Sequence, residues 1–125
     1  MSHSSRIALV VGAAFALTVG TGTAATAAGN DSYTSRSPDD GAEANFYSSG
    51  ELFTLWDIEC DGQVPRLQYK VGSGGSVTTV ENHNGCNSDS TLVDKSWPEK
   101  TVIYFRACNI GGGDDNCGAW VKATA

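Results

Sequence analysis

The chain has few of the residues on which catalysis and metal binding usually depend. Its 125 residues include two histidines, His3 and His83, and no two of its four cysteines stand at a C-x-x-C spacing. A structural zinc site is therefore not expected. Basic residues are scarce as well, eight against fourteen acidic ones. That balance argues against a nucleic-acid backbone or an anionic membrane as partner, since either would be repelled. The one long apolar run, Ile7 to Val19, falls short of the ~20 residues needed to span a bilayer.

What is present begins with an export pattern. A short head containing Arg6 precedes the apolar run, and Ala25-Thr26-Ala27 supplies small residues where a signal peptidase cuts. Residues 1–27 are thus expected to be a secretory signal peptide, and the protein to be extracellular. All fourteen acidic residues but only seven of the eight basic ones lie beyond Ala27, so the exported part carries a formal charge of −7. All four cysteines lie there too. In an exported chain of this length an even number of cysteines reads as two disulfides. Residues 28–45 are polar, with one aromatic and no apolar period, and are expected to form a mobile N-terminal arm. The folded domain is expected over residues 46–125, a size at which a hydrophobic core alone supplies only ~3–5 kcal/mol.

Within that domain the apolar pattern has the period of strands. Leu67, Tyr69 and Val71 alternate with Arg66, Gln68 and Lys70, which predicts a half-buried strand. Phe53 and Leu55 oppose Leu52, Trp56 and Ile58; Ile103 and Phe105 oppose Val102 and Tyr104; Ala119, Val121 and Ala123 oppose Trp120 and Lys122. Gly72–Gly75 predicts a hairpin into Ser76–Val80, and Thr91–Val93 a short edge strand. No helix is expected. The fold class is all-β, a small antiparallel sandwich or barrel stapled by two disulfides. Four cysteines allow three pairings. Cys108–Cys117 across the glycine-rich turn, with Cys60–Cys86, is favoured because the first pair closes locally.

Four groups of residues offer chemistry. Asp57-Ile58-Glu59-Cys60-Asp61-Gly62 fits the opening of a calcium loop, but the position that should close it falls on Gln68 within a strand. No cofactor or metal is expected, although calcium at the acidic turns is left open. His83, with a nearby carboxylate and Arg106 as anion clamp, would suit a nuclease-like hydrolase. Exposed rings could stack on sugars or fill a partner's pocket; Trp97, beside Pro98, is expected to be the most exposed, and Tyr104 with Arg106 to be outward neighbours. Finally, the loop closed by Cys108 and Cys117 could present Ile110 as an apolar contact, with Asp114 and Asp115 setting charge preference.

With Cys60-Asp61-Gly62, Asn84-Gly85-Cys86, Tyr104-Phe105-Arg106-Ala107-Cys108 and Cys117-Gly118-Ala119-Trp120, the chain resembles the small exported two-disulfide proteins of actinobacteria. That resemblance implies no assigned activity and carries no functional residues over to this chain. In size, acidity and cysteine number it also resembles the small exported α-amylase inhibitors of such bacteria, whose Trp-Arg-Tyr triplet this sequence lacks. The function expected is a secreted, non-catalytic binding or inhibitory module, a monomer directed at an extracellular protein or polysaccharide. The alternative is the hydrolase built on His83.

Overall fold

The computed structural model describes residues 31–111 and 114–125. The expected signal peptide lies outside the described residues, as do Gly112 and Gly113. Nine strands and no helix are found among the described residues: β1 (Ser32–Arg36), β2 (Ala42–Tyr47), β3 (Leu52–Asp57), β4 (Val64–Val71), β5 (Thr78–Glu81), β6 (Thr91–Asp94), β7 (Val102–Gly111), β8 (Asp114–Cys117) and β9 (Val121–Thr124). They form two antiparallel sheets. Sheet I runs β1-β2-β3-β6; sheet II runs β5-β4-β7-β8, with β9 also paired to β7. The sheets face each other as a sandwich and do not close into a barrel.

Period-two alternation decides what lies between the sheets. Pro65, Leu67 and Tyr69 of β4 turn inward, as do Ile103, Phe105 and Ala107 of β7, and Phe53 and Leu55 of β3. The Phe53 ring bridges the layers, 5.0 Å from Tyr69 and 5.5 Å from Phe105 between centroids, with Phe46 4.8 Å away on its own sheet. Tilted and edge contacts of this kind add to the area that the rings bury. Alanines at 42, 44, 107 and 123 complete the core, their small side chains letting the sheets close over the phenylalanines. Val71, expected inward, ends β4 beyond the core and is 46% exposed.

The N-terminal stretch departs from expectation. Within residues 28–45, expected to be a mobile arm, lie β1 and most of β2, paired with each other and, through β2, with β3. Hydropathy misses them because the inward residues ahead of Phe46 are small: Ser35, Ala42 and Ala44 are all buried. Ser35 Oγ accepts a hydrogen bond from the Ala107 amide at 2.9 Å, tying sheet I to sheet II. The stretch is ordered by backbone pairing and by Tyr33 packing on Phe46, with ring centroids 6.3 Å apart.

Both favoured disulfides are present. Cys108 and Cys117 face each other directly across β7 and β8, Cα to Cα 3.9 Å. Cys60–Cys86 joins the β3–β4 loop to the β5–β6 loop, Cα to Cα 5.2 Å. The segment between Cys108 and Cys117 is not a free loop, because β7 continues through Gly111 and pairs with β8.

Candidate functional site

The outward residues of sheet II gather the chain's cations. Pairing sets Gln68 opposite Arg106 and Lys70 opposite Tyr104 between β4 and β7, and Tyr104 opposite Lys122 between β7 and β9. Lys70, Tyr104 and Lys122 thereby make one row across three strands. Beside it, Arg106 Nε donates to Gln68 Oε1 at 2.8 Å. Trp120, just before β9, lies over this corner: the Arg106 guanidinium and the Lys70 ammonium are each 4.5 Å from its ring centroid, and Lys70 is 5.8 Å from Tyr104. The ring faces attract both cations, by ~0.5–1 kcal/mol each at a partly exposed site.

With Arg66, this face holds four of the seven cations that lie beyond residue 27. Among the described side chains of its strands Glu81 is the one carboxylate, and it is occupied. Arg66 donates to Glu81 Oε2 at 2.6 and 3.0 Å. The Arg66 hydrogen bond holds the Glu81 carboxyl below its ordinary value and outweighs the opposing effect of burial. Lys70, Arg106 and Lys122 have no salt bridge among the described residues.

The second region lies at the Cys60–Cys86 end. Asn82 is buried, donates to Leu55 O at 2.9 Å and accepts from the Asn84 amide at 2.7 Å; it fixes the loop that follows β5. His83 extends from that loop, its side chain 70% exposed, with Nε2 3.0 Å from Glu81 Oε1. It borders an open depression of about 380 Å³, together with Asp57, Glu59, Asp61 and Asn82. Burial, and then the charge of Asp61, push the Asp57 carboxyl up. Among the described residues no three His, Cys, Asp or Glu side chains are placed to hold a metal ion.

The expected site residues are thus distributed over the molecule. Tyr104 and Arg106 are outward neighbours, as the alternation implied. Trp97 is not the exposed ring: it packs against the core, 6.2 Å from Phe46 and 5.9 Å from Tyr69, because the β6–β7 connection folds over the open end of the sandwich. Trp56, on the outer face of sheet I, is exposed instead. Ile110 is half-buried in the β7–β8 pairing, and the side chains of Asp114 and Asp115 lie outside the described residues. His83 meets Arg66 through Glu81, whereas Arg106 engages Gln68 and Trp120, so the trio of His83, a carboxylate and Arg106 is not assembled. Lys70 and Lys122 were the residues missed, and Trp120 was not singled out among the rings. Lys70 was legible as facing water and Trp120 with Lys122 as sharing a face, but the adjacency of β4, β7 and β9 was not.

Fold and site together define a two-disulfide antiparallel β-sandwich with one cationic, aromatic face. The chain matches no protein-family model, no curated protein and no solved structure. Its two disulfides fit an oxidising, extracellular type of environment, and no helix among the described residues is long and apolar enough to cross a membrane.

Proposed function

We propose that the protein is a secreted, non-catalytic recognition module that binds a carboxylate-bearing polysaccharide through the outer face of sheet II. The observation that carries this reading is the cluster at Trp120, where Arg106 and Lys70 meet one ring and neither has a carboxylate partner among the described residues. Guanidinium and ammonium groups held on a rigid sheet supply charge-assisted hydrogen bonds to carboxylates, and Tyr104 and Trp120 offer apolar edges to sugar rings. Export is supported by the pattern of the first 27 residues and by the two disulfides. With a charge of −7 beyond Ala27, the protein as a whole repels a polyanion at long range, so recognition rests on short-range contacts at this face, which salt screening of the long-range term favours.

Calorimetric titration with polygalacturonate, and with dextran as the neutral control, tests the reading. Binding to the first alone is expected, weakened about tenfold by Arg106→Ala and by Trp120→Ala, in line with the loss of one charge-assisted contact. Equal binding to both polymers, or an Arg106→Ala variant that binds as wild type does, would overturn it.

A further inference from the structure

At the end of the sandwich opposite the Cys60–Cys86 bridge, a cavity of about 220 Å³ opens between the β4–β5 turn and the β6–β7 connection. Its walls include the Tyr69 and Trp97 rings, and Ser76, Thr78 and Lys95 stand around it. Tyr69 is held by the core and Trp97 by its amide, which donates to Glu51 Oε1 at 3.0 Å. The Lys95 amide donates to Glu51 O at 2.9 Å. The backbone on either side of the cavity is therefore fixed before any ligand arrives.

Lys95 is half-buried, and its ammonium is 5.7 Å from the Tyr69 centroid and 5.8 Å from that of Trp97. It has no salt bridge among the described residues. No carboxylate lines the cavity; its second cation is Lys70, at the border with the outer face of sheet II. In a chain with fourteen acidic residues against eight basic ones, an acid-free recess with two lysines is a departure from the average surface. Two aromatic walls, an ammonium and two hydroxyl groups suit a carboxylate on a small, hydroxylated ring. The volume lies below the ~300–1,000 Å³ of drug-sized sites, which limits the ligand to about one ring.

We infer that this cavity is a binding site for a single sugar acid, with Lys95 taking the carboxylate, Trp97 and Tyr69 facing the ring, and Ser76 and Thr78 meeting its hydroxyls. The site borders the Trp120 cluster at Lys70, but its carboxylate contact is Lys95, and it does not require that cluster to bind a polymer.

Titration of the ¹⁵N-labelled protein with glucuronate, followed by NMR, tests it, and glucose is the control that differs only in lacking the carboxylate. The Trp97 indole N–H and the Gly75 and Ser76 amides are expected to shift saturably with glucuronate at up to about 50 mM, the weak range that suits a one-ring ligand. They should not shift with glucose. Lys95→Gln should weaken the response at least about tenfold, the worth of one charge-assisted contact, and Lys95→Arg should retain most of it. Arg106→Ala should leave it unchanged. No saturable shift, an equal shift with glucose, or an unaltered response in Lys95→Gln would overturn the assignment. Loss in Arg106→Ala with retention in Lys95→Gln would place the carboxylate on the outer face of sheet II and would overturn it as well.

Discussion

Replacing Asn109 by aspartate should reverse the sign of the protein's stability response to acid in one place. Asn109 is fully buried, and its two amide hydrogens are shared between two carboxylates, Asp39 Oδ2 at 3.0 Å and Asp61 Oδ2 at 2.9 Å. Its Oδ1 has no partner, so turning the amide over would place an oxygen against two acids. The orientation is therefore fixed by charge. Asp39 also accepts from Ser37 Oγ and the Gly41 amide. Burial alone would raise its carboxyl, but the bonds from Ser37, Gly41, Asn109 and Asn116 outweigh burial and hold it below the usual value. Gly41 is part of the same arrangement, since a Cβ there would lie 2.1 Å from the Asn109 nitrogen.

Hydrogen bonds to charged groups contribute ~1.5–3 kcal/mol each. The bond to Asp61 counts for less, because that residue is exposed and water replaces the amide. Asn109→Ala should then cost about 2–3 kcal/mol, and Asn109→Asp about 3–5 kcal/mol at pH 7, where a third acid is buried beside two others. At 4–8 °C per kcal/mol for a domain near this size, the alanine variant loses roughly 10–20 °C.

The pH dependence separates this account from simple loss of packing. In the wild type the depressed Asp39 contributes stability that is complete above its unfolded value of 3.8 and is lost as pH falls through its lower folded value. In Asn109→Asp the new carboxyl is raised when folded, so stability instead declines as pH climbs from about 3.9. Asp57, raised in both proteins, cancels in the difference. Urea unfolding at pH 3 and pH 7, with disulfides intact and a chelator present, should show the Asn109→Asp deficit larger at pH 7. A deficit equal at both values, or larger in acid, would refute the shared-amide reasoning.

Two further outcomes test how the sheets are joined. At Gly118 a Cβ would lie 2.2 Å from the Arg36 carbonyl oxygen and 3.3 Å from Ser35 Oγ, so Gly118→Ala should cost ~1–3 kcal/mol by thermal unfolding, as forced contacts do, and a wild-type Tm would remove that contact from the argument. Removing Cys60–Cys86, whose cysteines are 26 residues apart, should cost more than removing Cys108–Cys117, 9 apart, about 3.5 against 2.6 kcal/mol by loop entropy, and paired alanine variants compared by urea unfolding would show the opposite order if burial of Cys108 dominates instead.

How much of this was legible in the sequence depended on side-chain size. Alternation declared the inward direction of Leu67 and set Phe53 with Leu55 and Ile103 with Phe105 on shared faces, and both disulfides followed from local closure and remainder. β1 and β2 did not, since Ser35, Ala42 and Ala44 carry little hydropathy although each lies in the core or at its rim. The strand β8 was hidden for a related reason: Asn109 and Asn116 face each other as a pair where a turn-forming composition suggested a loop. Trp97 was misplaced because proline beside it marks a turn without saying which way the preceding ring points. For the cationic face the outward set was readable strand by strand, but no period within one strand tells which strand lies next to it.

The placement of charge on sheet II is hard to account for by folding alone. Opposite charges set across neighbouring strands are favourable and like charges unfavourable, and elsewhere the chain follows that rule: Arg36 meets Glu43 across β1 and β2, and Arg66 meets Glu81 across β4 and β5. Around the row Lys70, Tyr104, Lys122 and its neighbour Arg106 no carboxylate answers a cation: both lysines stand opposite Tyr104, and Arg106 stands opposite Gln68. Arg106 is the diagonal neighbour of Lys70 on β4 and of Lys122 on β9, at ~7–8 Å, inside the ~8 Å over which physiological salt screens charge, so Arg106 and the lysines repel one another and the Trp120 and Tyr104 rings moderate it. A carboxylate at Gln68 or Lys122 would relieve the repulsion without disturbing the core, since both positions face outward. Local departures from what the fold itself favours concentrate where a protein meets a ligand, and an acidic partner laid across this row would supply the counter-charge that Glu43 and Glu81 supply elsewhere.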